Sequence, residues 1–344
     1  MRKGMMLFLV FSFVFSSVFV LAREGFTAPT KVMNLFMGST SSSSGMYPAC
    51  VVLARVINKH VPEVRVTVLE TGATHDNIQR MAKNQIQLFA ASGTDGAALA
   101  YHGIAKYEGK PVKTLRVVLL YYENFGAYVV RADSGVKTLR DLNGKKFSAG
   151  IPGSAAEYSS SMVFKILGIQ PQIVFGSLAD AMDMTKENRI VGFAKHPALK
   201  SLDSTSVDVN TQTPIRLVSF TDEEITKVIS LLPGNARIDI PAGGVLGLRE
   251  QGALTSYQNG AGLYATSELP ADLVYKIVKA IMTDWQKELV PAFAEAATFH
   301  GIKDTIRVAS AFGQSAPIHV GAAKYFMEQG YNVPAKLLPP EWKK

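Results

Sequence analysis

Apolar and polar positions alternate with two different periods along the first third of the chain. Short apolar runs predict strands at 31–37, 63–70, 87–91 and 112–122. Between them, apolar side chains recur three or four positions apart and predict helices at 47–59, 77–83 and 96–101. Strands that alternate with helices indicate βαβ units and a largely parallel sheet. Ligand sites in such sheets lie beyond the carboxyl ends of the strands.

A second series of strands and helices follows. Further strands are predicted at 128–131, from 147, at 173–175 and at 189–194, and helices at 139–142, 159–167, 178–186, 270–287, 290–300 and 321–329. The pattern indicates two α/β lobes, with the chain crossing between them near Asn124 and returning near Gly260. We therefore expect one lobe from 31–124 plus 260–344 and a second from 125–259.

The loop Gly38–Gly45 contains six consecutive Ser and Thr residues between the first strand and the first helix. Such a loop presents backbone N–H groups, hydroxyl donors and the positive end of a helix dipole to one point, which favours an anion such as a carboxylate or phosphate. A disordered linker is the alternative interpretation of so many small polar residues.

Two more polar loops follow the next two strands, at Thr71–Asn77 and at Ala91–Gly96. Asn77, and Asp95 with its neighbour Ser92, are candidates for ligand contact. Ordinary N-capping of the following helices, by Asp76 or Asn77 and by Asp95, explains each loop equally well by itself. The repetition of the loop type along one sheet edge favours a ligand site.

A similar loop, Gly150–Glu157, recurs in the predicted second lobe. Glu157 is a candidate ligand contact, although a carboxylate in the first turn of a helix is also favoured by the helix dipole alone. His196 follows another predicted strand, where either a ligand contact or a surface or capping role fits. Two such loops in two lobes predict anion-binding loops that face each other across a cleft.

The N-terminus carries the features of an export signal. Arg2 and Lys3 precede the apolar run 5–21, and a small-residue cleavage site follows at Ala22. We expect residues 1–22 to direct the protein to the periplasm or another extracytoplasmic space. The apolar run is also long enough for an uncleaved membrane anchor.

Composition narrows the picture further. The formal net charge of +8 is spread along the chain, without the basic patch and interleaved aromatics of a nucleic-acid binder. Cys50 is the only cysteine, so no intramolecular disulfide is possible, and we interpret it as a small buried apolar residue.

Catalytic and metal motifs are missing from the sequence. It contains no Gly-x-Ser-x-Gly, no P-loop and no His-Glu-x-x-His, and its six histidines lack metal-ligand spacing. We predict a binding protein without catalytic residues, metal site or cofactor.

The ordered set of motifs resembles a known family. It comprises the export signal, the 38–47 loop, Glu70-Thr71-Gly72-Ala73 with Asn77, Asp141–Lys146, Gly150–Ser154 with Glu157, and Pro317–Tyr325. Together they resemble the TAXI family, the extracytoplasmic solute receptors of TRAP transporters, over essentially the whole mature chain.

The resemblance implies a two-lobed, periplasmic-binding-protein-like fold of type II that closes on an organic anion such as glutamate, glutamine or 2-oxoglutarate. It implies a monomer that delivers this ligand to TRAP permease subunits. Carried over by position, the ligand contacts are Ser39, Thr40, Ser41, Tyr47, Thr71, Ala73, Asn77, Ser154, Ala155, Ala156 and Glu157.

Two departures from the family pattern bear on the ligand. Ala155-Ala156 stands where relatives usually have Gly-Thr, which removes a hydroxyl, and Lys195-His196-Pro197 replaces a Gly-x-Pro turn. The second departure places a cation or imidazole near the ligand and favours a more anionic one.

The alternatives are an ABC-type importer receptor of the same fold and an enzyme of that fold acting on a carboxylate. We expect Ser154→Pro, Thr40→Val and Asn77→Leu each to weaken binding with the fold intact.

Overall fold

The computed structural model describes residues 32–199, 201–248, 250–311 and 315–343. Within these ranges, three strands and three helices alternate first: β1 (Met33–Gly38), α1 (Tyr47–His60), β2 (Val64–Leu69), α2 (Thr74–Ala82), β3 (Leu88–Gly93) and α3 (Thr94–His102). A 3₁₀ turn, Ala105–Tyr107, leads to the long strand β4 (Leu115–Phe125). The predicted βαβ alternation is confirmed.

The middle of the chain forms shorter elements. In order they are β5 (Ala127–Arg131), a 3₁₀ turn (Leu139–Leu142), β6 (Lys146–Phe147), α4 (Ala155–Leu167), β7 (Gln172–Ile173), α5 (Leu178–Lys186), β8 (Gly192–Lys195), α6 (Ser204–Gln212), β9 (Ile215–Leu217), α7 (Asp222–Leu231) and β10 (Ala236–Ile240).

The last part returns through one long strand and then becomes helical. Its elements are β11 (Leu254–Thr266), α8 (Ala271–Asp284), a π-helical turn (Trp285–Leu289), α9 (Val290–Ala292), a 3₁₀ turn (Ala294–Thr298), α10 (Ile302–Ala311), α11 (Val320–Glu328) and a 3₁₀ turn (Ala335–Leu337). None of the helices in the described ranges is long and apolar enough to cross a membrane.

The larger sheet is mixed rather than largely parallel. β1 pairs in parallel with β2 and β3, whereas β11 runs antiparallel to β3, β4 and β10. The prediction of a largely parallel sheet was therefore wrong in its antiparallel half. The three parallel strands nevertheless end at one edge, which brings their polar loops together as expected.

The apolar residues separate into distinct clusters. The first cluster draws on positions 35–122 and 261–337 with Ala198, and packs α1, α8 and α11 against the larger sheet. Two smaller clusters draw on positions between 125 and 257, around the antiparallel sheet β8-β5-β9. We call the parts around these clusters the first lobe and the second lobe. The α/β class and the two-lobed arrangement are confirmed.

The predicted lobe boundaries at 124/125 and 259/260 stay a prediction, because Val32–Lys344 packs as one compact unit. The predicted export signal, residues 1–22, lies outside the described residues.

The helix predicted at 290–300 was wrong. α9 ends at Ala292, and Phe293 adopts an extended conformation with φ −150° and ψ 90°. This turn buries the Phe293 ring, which meets Tyr122 edge-on at a centroid distance of 5.2 Å. Burial of one aromatic ring thus ends a helix that the local sequence pattern favours.

Candidate functional site

A cavity of about 80 Å³ lies between the two lobes. It is bounded by the loops after β1 and β2 and the end of β3 on one side, and by the start of α4 and the end of β8 on the other. It shares Ser44, Met46, Lys195 and His196 with a neighbouring cavity of about 200 Å³. The small volume of the first cavity shows that the two lobes approach each other closely here, and we call the described conformation the closed one.

Six of the fourteen predicted ligand contacts line this cavity: Thr40, Ala73, Ser154, Ala155, Ala156 and His196. Lys195, which the sequence pattern placed near the ligand, lines it too, as do residues that were not predicted, among them Ser44, Thr74, Gly93, Tyr122 and Asn124. Ser44 and Thr74 sit in the loops already singled out, so the loop composition was the available signal. Asn124 stands where the chain was predicted to cross between lobes.

Four predicted contacts form a buried support beneath the loops instead. Thr71 Oγ1 and Asn77 Nδ2 each donate to the carbonyl oxygen of Ser39 at 2.8 Å. Ser39 Oγ donates to Leu69 O at 2.7 Å, and Ser92 Oγ lies 3.5 Å from Asn77 Nδ2. The support therefore ties the ends of β1, β2 and β3 together, and none of the four residues lines the cavity.

The remaining predicted contacts lie outside the cavity lining as well. Ser41 Oγ lies 2.9 Å from Ser43 Oγ in the outer part of its loop, and the Tyr47 ring is half-buried. Glu157 is half-buried near Lys106 of the first lobe. Asp95 is buried behind Gly93.

Three lining hydroxyl groups already accept a backbone hydrogen bond. Ser154 Oγ accepts from Glu157 N at 3.1 Å as the N-cap of α4, and Thr74 Oγ1 accepts from Gly93 N at 3.1 Å. Ser44 Oγ accepts from Met46 N at 3.3 Å. Each hydroxyl group also carries a proton, which donates to no other group within the described ranges and can serve a ligand.

The start of α4 adds backbone donors. The first N–H groups of a helix have no partner within the helix, and in the described part of the chain the N–H groups of Ala155 and Ala156 have no acceptor. Both residues line the cavity. With the helix dipole behind them, they favour a negatively charged group at this point.

The N–H groups at the start of α2 form hydrogen bonds with the second lobe. His75 N and Asp76 N donate to Gly153 O at 2.8 and 3.2 Å. This contact also explains why α2 begins at Thr74, three residues before the predicted start. The anion site expected in this loop is thus filled by a carbonyl oxygen of the second lobe, which holds the lobes closed.

The charges of the lining are nearly neutralised. Lys195 is the charged residue among the lining positions, and it forms an ion pair with Asp203. Burial raises the pKa of Asp203, but the Lys195 charge and hydrogen bonds outweigh it and hold that pKa below its usual range. The cation expected from Lys195 is therefore already compensated.

His196 enters the cavity as a neutral imidazole. Burial lowers its pKa to about 4. Its Nε2 lies 3.0 Å from Ser159 Oγ and 3.3 Å from the hydroxyl of Tyr257. This network fixes the ring orientation at the cavity wall.

The model of the NMT1-like family matches residues 37–330. Among solved structures, a putative L-cystine ABC transporter from Listeria monocytogenes is 11% identical, with a TM-score of 0.48 over 75% of this chain and 93% of that one. An ancestral arginine-binding protein is 17% identical, with a TM-score of 0.47 over 78% and 99%. The periplasmic aliphatic sulphonate binding protein SsuA from Escherichia coli is 15% identical, with a TM-score of 0.42 over 90% and 94%.

Proposed function

The chain belongs to the NMT1-like family, and from this premise we propose that it is an extracytoplasmic receptor whose two lobes close on a small carboxylate. The observation that carries the proposal is the set of donors around the closed cavity. Two backbone N–H groups at the start of α4 and the hydroxyl groups of Ser44, Thr74 and Ser154 belong to its lining, and no Asp or Glu is among the described residues that line it. A carboxylate supplies the acceptor oxygens that these donors lack.

We propose glutamate, glutamine or 2-oxoglutarate as the ligand class. Recognition then rests on hydroxyl and backbone donors, because the described part of the chain contributes no arginine to the lining. The lobes part to admit such a molecule and then close on it. A rigid-body hinge around β4 and β11, which run between the lobes, provides this motion.

We propose further that the receptor is exported through its N-terminal signal and, as a TAXI-type monomer, delivers its ligand to TRAP permease subunits. A receptor of an ABC-type importer is the second candidate, because the same cavity serves either partner. Neighbouring genes for a large permease without an ATPase favour the first partner. Ligand uptake by the reconstituted system without ATP supports it, and uptake that requires ATP hydrolysis refutes it.

Thr40→Val tests the donor role most cleanly. The Thr40 hydroxyl has no hydrogen-bond partner within the described ranges, and Thr40 lines the cavity. Valine keeps the shape and removes the donor, so we expect affinity for L-glutamate to fall about tenfold, in line with ~1.5 kcal/mol for a hydrogen bond to a charged group. Isothermal titration calorimetry measures the change.

Thr40→Ser is the matched variant for this prediction, because it restores the hydroxyl and should bind within about threefold of the parent protein. The thermal midpoint of both variants should stay unchanged. Equal glutamate affinity in Thr40→Val and the parent would remove Thr40 from the ligand site.

A further inference from the structure

A second buried polar cluster lies behind the cavity wall, at the contact between the lobes. It consists of Asp95 in the first turn of α3, Asn259 on β11 and Asn235 in the loop after α7. The exposed fractions of these residues are 1%, 0% and 9%. Asp95 and Asn235 belong to different lobes, so the cluster spans the contact that opening of the lobes disrupts.

Two acceptor oxygens in this cluster lack a donor. Asp95 Oδ1 and Asn259 Oδ1 are buried and have no hydrogen-bond partner in the described part of the molecule. Asn259 Nδ2 donates to Asn235 Oδ1 at 2.9 Å, which fixes the amide with its oxygen on the other side. Both orphaned oxygens lie against Gly93, where a Cβ would clash with Asp95 Oδ1 and stand 3.4 Å from Asn259 Oδ1.

Unpaired buried acceptors of this kind are costly, and a proton removes the cost by turning one acceptor into a donor. We propose that Asp95 is a proton-binding site that couples closure of the two lobes to pH. The proposal rests on the proposed function, because it assigns a regulation to the same closing motion.

The surroundings of Asp95 offer no opposite charge within the described ranges. The titratable groups that face it are the phenols of Tyr107, Tyr122, Tyr158, Tyr257 and Tyr264, whose pKa values are raised and which are neutral at physiological pH. His75, beside Gly96, is also neutral, because burial lowers its pKa to about 3.

Burial accordingly raises the pKa of Asp95 to about 6, against the lowering effect of backbone N–H groups and Asn235. The loop of the second lobe provides part of this burial, since a Cβ at Gly234 would stand only 2.8 Å from Asp95 Cα. When the lobes part, water returns to the carboxyl group and its pKa falls toward the ordinary ~3.9.

The sign of the effect follows from the two pKa values. The closed form binds the proton more tightly, so closure becomes more favourable as the pH falls through about 6. This added stability of the closed form reaches its full value below the ordinary aspartate pKa of ~3.9. Asp95 by itself should therefore raise the ligand affinity, which depends on closure, about tenfold between pH ~7.5 and pH ~5, and the pH dependence of Asp95→Asn gives the contribution of all other groups, His196 among them.

Two measurements test the proposal. Carbon-13 NMR of labelled aspartate carboxyl groups, with and without excess L-glutamate, gives the titration midpoint of Asp95. Calorimetry gives the dissociation constant for L-glutamate near pH ~5 and ~7.5 in the parent, Asp95→Asn and Glu108→Gln. Asparagine carries a donor at every pH, so Asp95→Asn should lose the tenfold dependence, whereas the exposed control Glu108→Gln should keep it.

The outcomes separate this proposal from the proposed function. A midpoint near 4 in both NMR titrations overturns the proton site whether or not glutamate binds. A midpoint near 6 without any glutamate binding supports the proton site and refutes the proposed ligand. A midpoint near 6 with the same pH dependence of affinity in the parent and in Asp95→Asn refutes the coupling to closure.

Discussion

Gly72→Ala should yield a folded protein that binds L-glutamate about 100-fold more weakly than the parent. A Cβ at this position would stand 2.5 Å from the carbonyl oxygen of Pro152 in the second lobe, and this oxygen belongs to backbone that cannot turn aside. Gly72 does not adopt a positive φ, so the local backbone accepts alanine, and the nearest atom within its own lobe is Asp76 Cβ at 3.3 Å, which a small shift relieves. The collision is therefore relieved by keeping the lobes apart.

Separation of the lobes has a defined energetic cost for binding. It removes the two hydrogen bonds from His75 N and Asp76 N to Gly153 O, and it displaces the start of α4 from the loops of the first lobe. The two lost hydrogen bonds weaken binding by ~1 kcal/mol each. Displacement of the N–H donors at the start of α4 adds to this loss, and together the two effects give the expected change of about 100-fold in affinity. Calorimetry measures the affinity, and small-angle X-ray scattering measures the opening.

Gly252→Ala is the matched control for this substitution. Nothing in the described structure lies within 4 Å of a Cβ at Gly252, and its φ is also not positive. It should therefore bind and scatter like the parent protein. If Gly72→Ala does the same, the loops at Gly72 and Pro152 do not meet in the ligand-bound form, and the closed cavity is not the binding state.

Asn77→Leu should destabilise the protein by about 2–4 kcal/mol, as expected when a buried hydrogen-bonding residue is replaced by an apolar one. Asn77 is fully buried, and its Nδ2 donates to Ser39 O at 2.8 Å. Its Oδ1 fills the space that a Cβ at Gly38 would need, so the branched leucine side chain has no room there. Urea unfolding measures the loss.

The result for Asn77 separates a supporting role from direct ligand contact. The sequence led us to expect weaker binding with an intact fold, whereas the structure places Asn77 beneath the loops, where it supports them. Asn332→Leu, at an exposed position without a side-chain hydrogen bond in the described ranges, should change stability by less than ~0.5 kcal/mol. A similarly small change for Asn77→Leu, together with lost binding, would restore its assignment as a ligand contact.

Sequence reasoning located the polar loops because strand order determines where they meet. The carboxyl ends of β1, β2 and β3 lie at one sheet edge, and the 150–157 loop faces them. The same reasoning does not give the direction of each side chain. Ser39 and Thr71 have the residue types of ligand contacts, yet their hydroxyl groups are used to join neighbouring strands.

The long strand β11 was missed for a different reason. Glycines at 260 and 262 interrupt its apolar alternation, which weakens the local pattern for a strand. The structure requires glycine there, because a Cβ at Gly262 would collide with the carbonyl oxygen of Leu119 on β4. The contact between β11 and β4, which are far apart in sequence, therefore requires a glycine. In the local sequence that glycine indicates the end of a strand.

The most direct test of the account is a thermal-shift measurement of the purified mature protein with L-glutamate, L-glutamine, 2-oxoglutarate, neutral sugars and polyamines. A ligand that binds only the folded form raises the unfolding midpoint, so we predict stabilisation by one or more of the carboxylates and none by the sugars or polyamines. Stabilisation by sugars or polyamines alone, or by none of these compounds, would contradict a receptor that closes on a small carboxylate.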